Sequence, residues 1–313
     1  MITNKESNFI SVVCYVYNGE KHILEFLQNL YEILDSKFKV FEIICVNDAS
    51  KDNSCSIIEE FSKDKDTVIS IVNMSSYQGI EVSMDAGTDL AIGDYVYEFD
   101  SIYIDYPLEL IIDIYEKAME GFDIVAATPH IVHGEWSKFF YSVFNKYRTC
   151  EGQIRQERFH IVSRRAINRV NDINKLLIYR KAAYANCGLK STFIQYENSI
   201  NVLDYDKKVK RLRKKLATDT IILFTDLIQK VTSYLSAFFL LVTVGIALYT
   251  CFVYTIGRKP VEGWTPIMLY LSLGFFGIFL ILTVVVKYLS LIINLLFKRK
   301  YYLIESIVKL TKN

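Results

Sequence analysis

Within the 313 residues, the stretch whose residue types and spacing could do chemistry is 86–105, AGTDLAIGDYVYEFDSIYID. It reads as the end of a helix, a break at Gly93-Asp94, a β-rich run over 95–99, and a carboxylate, Asp100, where that strand should stop. In an open α/β sheet, ligands bind just beyond the carboxyl ends of the strands, so a carboxylate delivered there is a candidate site residue. The same residue could do no more than cap a turn.

The elements that must position Asp100 alternate. A β-branched run over 9–15 (FISVVCY) leads through a turn at 16–20 into an apolar-periodic helix over 23–34. A second strand over 41–46 ends in NDASKD (47–52) and a helix over 54–61; a third strand, 67–73, precedes a helix over 79–91. Strands alternating with helices imply right-handed βαβ units, hence an α/β class with a mostly parallel sheet. The turns at Asn18, Asp48, Gly79 and Asp100 are then expected along one sheet edge, where a nucleotide is the usual occupant.

Lys and Arg total 36 against 35 Asp and Glu, a formal charge of +1, which argues against nucleic acid as a partner. The six cysteines lack paired CxxC spacing and read as reduced, buried thiols rather than a disulfide framework or a zinc site. Residues 1–11 hold no apolar segment of a cleavable signal peptide. Late in the chain, 231–256 and 266–286 are uncharged, the second ended by Lys287, and the connection between them carries Gly, Pro and Trp264. These lengths predict a C-terminal two-helix transmembrane hairpin. Lys207, Lys208, Lys210, Arg211, Arg213, Lys214 and Lys215 precede it and Lys287, Lys298, Arg299 and Lys300 follow. The positive-inside rule then places both termini in the cytoplasm of a multi-pass membrane protein. Ile221, Phe224, Leu227, Ile228 and Val231 recur at helical spacing, which suits a basic amphipathic helix lying on membrane lipids. The expected division is a catalytic-sized domain over 1–204, juxtamembrane helices over 205–230, spans at 231–256 and 265–287, and a tail over 288–313.

SVVCYVYNGE at 11–20, VNDASKD at 46–52 and AGTDLAIGDYVYEFD at 86–100 resemble the successive motifs of family 2 glycosyltransferases with the GT-A fold. EGWTPIM at 262–268 and YLSLIINLLFKRKYYLIESI at 288–307 resemble the polyisoprenyl-phosphate branch, which includes bactoprenol glucosyltransferases and is related to dolichol-phosphate mannose synthase. The likeness covers nearly the whole chain. It implies a GT-A domain that transfers one sugar, with inversion, from a nucleotide donor (usually a UDP-sugar) to a polyprenyl phosphate such as undecaprenyl phosphate for cell-surface glycan synthesis. Homo-oligomers also occur among such relatives. Carried over by position, Tyr17 and Asn18 match the first nucleotide-contacting turn. Asp48 matches the carboxylate that accepts from the base, and Gly79 a glycine near the donor. Asp100, with Ser101 beside it, matches the first carboxylate of the Asp-x-Asp that holds Mg²⁺ or Mn²⁺ and the diphosphate.

The chain also departs from that pattern. Ile102 stands at the second carboxylate, and an alkyl chain cannot ligate a hard cation. Tyr15 replaces a proline, Gly19 an acidic residue, and Ile80 a basic one. QERFHIVSRRAI at 156–167 resembles an Asp-Phe-Arg-Leu segment with Arg158 and His160 in place of Asp and Arg. A lost carboxylate beside a gained arginine suggests a fixed cation, Arg158 with His160, on the donor diphosphate and in the catalytic set with Asp100. The other reading is a catalytically degenerate homologue that scaffolds, or binds a nucleotide-sugar or lipid phosphate. His130 and His133 could form a metal pair or stand where relatives place phosphate-binding arginines. The aromatic helix over 136–147 could be core or could line a lipid groove.

Overall fold

The computed structural model describes residues 5–130, 135–147, 154–173, 179–197, 263–297 and 302–310, with isolated positions between 230 and 255. The chain divides into two compact units, residues 1–220 with 299–313, and residues 221–298.

In the first unit, strands β1 (Ile10–Val16), β2 (Phe41–Asn47), β3 (Val68–Met74), β4 (Tyr95–Phe99), β5 (Ile124–Pro129), β6 (Phe159–Ser163), β7 (Ser191–Tyr196) and β8 (Ile304–Leu310) form one sheet, ordered β7-β5-β6-β4-β1-β2-β3-β8. The β4-β1-β2-β3 block is parallel throughout, as the βαβ alternation requires. β6 runs antiparallel to both β4 and β5, and β8 antiparallel to β3. In the parallel block the carboxyl ends therefore share one edge, which collects the turns after β1, β2 and β4.

Period-two alternation distributes the side chains between two faces. Val12 and Cys14 of β1, Ile43 and Cys45 of β2, and Tyr97 and Phe99 of β4 join one cluster with helices α1 (Ile23–Lys37), α2 (Ser54–Ser62) and α4 (Leu110–Met119). Val13, Ile44, Val46 and Val96 face the other way, against α3 (Ile80–Leu90), α6 (Arg164–Ile173) and α7 (Arg180–Ala185). Parity alone therefore sends Glu98, two residues from Val96, into the α3 and α7 side. Helix α5 (Glu135–Tyr147) buries Phe140 and Phe144, which agrees with the core reading of its aromatics. Cys14 and Cys45 are buried free thiols on paired strands, 3.5 Å apart.

β8 was not expected: residues placed in a tail form a strand. Its approach is held by Ser75 N donating to the Leu303 carbonyl at 2.9 Å and by Gln78, whose side chain bonds both the Leu303 carbonyl and its N–H.

The second unit contains α8 (Trp264–Phe297), whose 34 residues include Lys287. Here the two-span reading is corrected. Residues 231–256 are described only at isolated positions and α8 side chains only in part. Among the described residues no helix is long and apolar enough to cross a membrane. The transmembrane hairpin and the multi-pass placement with cytoplasmic termini are accordingly withdrawn. The basic stretch 205–229, the connection 256–262, His133 and Cys150 lie outside the described residues.

Helix α3 reaches the sheet through Gly87, where a Cβ would lie 2.5 Å from both Val13 Cγ1 and Val46 Cγ2. Alanine would gain about 1 kcal/mol of helix propensity there, but forcing a methyl between two buried valines costs about 1–3 kcal/mol. Gly87→Ala is therefore expected to lower stability in denaturant titration; an unchanged or raised midpoint would contradict this packing.

Candidate active site

Asp48 follows directly on β2 and is fully buried. Its Oδ1 accepts from Gln78 N at 2.7 Å, and its Oδ2 from Gly79 N and the Tyr15 hydroxyl at 2.8 Å each. Gly79 sits at φ 89°, a backbone that an L side chain disfavours. Asp48 thus fixes the turn that launches α3, and Tyr15, in place of the expected proline, supplies the hydroxyl. Asn18 adopts φ 50°, takes Lys51 N on its Oδ1 at 2.9 Å, and donates its own N–H to Ser50 Oγ at 3.0 Å. Tyr17 and Tyr77 pack with ring centroids 4.7 Å apart. Tyr17, Asn18, Asp48 and Gly79 are therefore knit into adjoining turns at the sheet edge.

Beside them lies a buried charge cluster centred on Arg180. Its guanidinium contacts Glu98, Asp100 Oδ1 at 2.6 Å and Glu81 Oε2 at 3.3 Å. Its neighbour Lys181 places Nζ 3.0 Å from Asp100 Oδ2 and 3.3 Å from the Glu157 carbonyl. His160 lies directly across the β4–β6 pair from Glu98, with Nε2 at 3.1 Å from Glu98 and Nδ1 at 3.1 Å from Glu157. The Tyr184 hydroxyl donates to Glu98 at 2.6 Å. Unpaired charges at this depth would be very costly, so the residues hold one another.

The ionisation states follow. Burial pushes Glu98 up, but the Arg180 and His160 charges more than reverse this and hold it at about 2. Asp100 is likewise raised by burial and pulled well below the carboxylate range by Lys181 and then Arg180. Burial raises Glu81 despite the lowering effect of Arg180. His160 is lowered by burial and raised more by Glu98 and Glu157, to about 9. Lys181 and Arg180 are both pushed upward by their carboxylate neighbours against burial.

A divalent cation fits this arrangement poorly. Mg²⁺ and Mn²⁺ need several oxygen donors in a near-octahedral shell. Both Asp100 oxygens already face cations of the chain, Glu98 and Glu157 are engaged, and the Ile102 side chain packs where a Cβ on Gly19 would lie. Among the described residues no group of three or more His, Cys, Asp or Glu could hold a metal ion. A side chain at position 19 would collide with Ile102.

Of the residues singled out from sequence, Asp100 and His160 enter this cluster. Ser101 accepts from Tyr103 N at 3.2 Å beside it. Arg158 is held elsewhere, with Nε and Nη2 at 2.8 and 2.5 Å from Asp105 Oδ2. His130 is exposed on its turn. Glu81, Glu98, Glu157, Arg180, Lys181 and Tyr184 were not anticipated. A glutamate inside the apolar run YVYEF and an Arg-Lys pair inside YRKAAY were the available signals, because each demands a buried partner. A cavity of about 260 Å³ opens next to the cluster, lined by Arg155, Glu157, His160, Lys181, Thr128 and Phe193 among others.

The glycosyl transferase family 2 profile matches residues 11–187, more than half of the chain. The chain belongs to glycosyl transferase family 2. The family 2 region takes in the edge turns, the Arg180 cluster and Lys181. An uncharacterised glycosyltransferase of Synechocystis sp. is 30% identical over 95% of both chains. The bactoprenol glucosyl transferase of Shigella phage SfV is 25% identical over 86% of this chain and 88% of that protein. The fold is that of mannosyl-3-phosphoglycerate synthase from Rubrobacter xylanophilus, with a TM-score of 0.50 over 68% of this chain and 74% of that one, at 12% identity. The GT-A α/β architecture and the membership of a transferase family are therefore established, and relatives include enzymes named for bactoprenol and undecaprenyl phosphate.

The His160 shift gives this family 2 domain a pH signature. A folded-state value of about 9 against an ordinary 6.5 means that its stabilisation is complete below about 6.5 and is lost as pH rises through about 9. The stability gap between the wild type and His160→Gln should therefore shrink between pH 6 and pH 10 in denaturant titrations. A gap independent of pH would show that the imidazole is not charged in the fold.

Proposed function

We propose that this chain transfers one sugar from a nucleotide-diphosphate donor, a UDP-sugar, to the phosphate of a polyprenyl lipid such as undecaprenyl phosphate. The observation that carries the reading is that Lys181 both binds the strand-end carboxylate Asp100 and lines the adjoining cavity. Lys181 thereby joins the strand-end carboxylate to the wall of the cavity. The length over which the chain matches a bactoprenol glucosyl transferase supports the acceptor class.

The chemistry asks for little acid-base help. An anionic phosphate oxygen of the acceptor attacks the anomeric carbon, and the bond from that carbon to the donor diphosphate breaks. The electron pair leaves with the diphosphate, and no proton has to move. What remains for the protein is to align the two substrates and to meet the charge that develops on the leaving group. The turns of Tyr17, Asn18 and Gly79 would bind the nucleotide, with Asp48 setting their shape. Arg158 acts here through Asp105, bracing the segment that carries His160.

A reading as a binder without turnover draws on one observation, that Asp100 is already satisfied within the chain. The two are separated by purified protein, undecaprenyl phosphate in detergent and a panel of UDP-sugars, following UDP release and the lipid-linked sugar together. Transfer predicts UDP release with at least one donor and only when acceptor is present. Folded protein that binds UDP yet releases none from any donor would contradict it.

A further inference from the structure

The place where a family 2 enzyme would be expected to hold a divalent cation is filled by a side chain of this protein. Lys181 Nζ lies 3.0 Å from Asp100 Oδ2, and Arg180 Nη2 lies 2.6 Å from Oδ1, so each oxygen of the remaining carboxylate has a cation of its own. A metal would have to displace a buried ammonium from its counter-charge, and Ile102 offers it no second oxygen. Within the cluster Glu81, Glu98, Asp100 and Glu157 already face three cations of the chain, Arg180, Lys181 and His160.

Of the two cations on Asp100, Lys181 is the one that lines the cavity. Arg180 is enclosed by its three carboxylates, whereas Lys181 contributes to the wall of the 260 Å³ cavity, together with Arg155, whose guanidinium lies 3.8 Å over the Phe193 ring. An ammonium has three N–H donors. Asp100 and the Glu157 carbonyl engage two, and Glu157 Oε2 lies 3.8 Å away, beyond hydrogen-bond reach, so the third N–H can turn to a ligand oxygen.

Building on the transferase reading above, we infer that Lys181 takes the part of the divalent metal: its ammonium, seated on Asp100, bridges to the donor diphosphate, and sugar transfer proceeds without a metal ion. The negative charge that reaches the diphosphate as the anomeric carbon–oxygen bond breaks is met by this fixed charge. Asp100 is then the positioning residue for Lys181, not a metal ligand.

The test uses the full chain, with Lys181→Met preserving the aliphatic stem and Lys181→Arg restoring charge. In EDTA the wild type should bind UDP calorimetrically and turn over within about twofold of its rate in Mn²⁺. Lys181→Met should lose at least about tenfold in UDP affinity in EDTA and about a hundredfold or more in kcat, the scale of removing one charge-stabilising donor, while Lys181→Arg recovers part of both. Electron paramagnetic resonance of free Mn²⁺ gives a readout independent of turnover: adding wild type to Mn²⁺ and UDP should deplete the signal no further than UDP alone does, and further depletion would show a metal site on the protein. Loss of wild-type UDP binding or turnover in EDTA overturns the inference and leaves the transferase reading standing. So does a folded Lys181→Met that binds UDP in EDTA like wild type. Metal-free UDP binding that depends on Lys181, with no turnover from any donor, instead overturns the transferase reading and retains Lys181 as the diphosphate contact.

Discussion

A guanidinium buried among three carboxylates is the constraint around which the catalytic half of this protein is arranged. Arg180 ties Glu81 on α3, Glu98 within β4 and Asp100 at the end of β4 to the start of α7. None of these groups could remain charged at such depth alone, since an uncompensated buried charge costs several kcal/mol. Their mutual neutralisation fixes how α3 and α7 meet the sheet. It also fixes the direction in which Asp100 points, because the carboxylate is held from both sides by Arg180 and Lys181.

A second constraint joins the turn before α3 to the approach to β8. Asp48 organises the Gln78-Gly79 turn through its carboxylate, and the Gln78 side chain pairs with the Leu303 backbone ahead of β8. Asn73 also reaches Ser306 at 3.0 Å. Strand β8 therefore covers the β3 edge, which would otherwise be open for pairing, and its approach braces the turn that Asp48 shapes.

Periodicity in the sequence located β1 to β4 to within a residue or so at each end, because buried parallel strands flanked by helices leave an unambiguous apolar signal. The carboxylate at the end of β4 and the turns at Asn18, Asp48 and Gly79 were legible for the same reason. The charge cluster was not. Arg180 is 80 residues from Asp100 and 82 from Glu98 in sequence, and no local pattern couples such positions. Gln78 and Leu303 are farther apart still, at 225 residues. Its place in a motif suggests Arg158 as the compensating cation. The fold turns it toward Asp105 and brings Lys181 to Asp100, a distinction only tertiary packing makes. The apolar C-terminal runs suggested spans by length and composition, whereas among the described residues no helix meets those requirements.

The central claim is that the chain's own ammonium, and not a metal, sits on Asp100 and faces the donor. A crystal of the protein grown with UDP and Mn²⁺, with data collected at the manganese absorption edge, tests it most directly. The expected result is a diphosphate oxygen within hydrogen-bonding distance of Lys181 Nζ, Asp100 still paired with Arg180 and Lys181, and no anomalous peak at the carboxylate. A manganese peak on Asp100 with Lys181 turned away would contradict it.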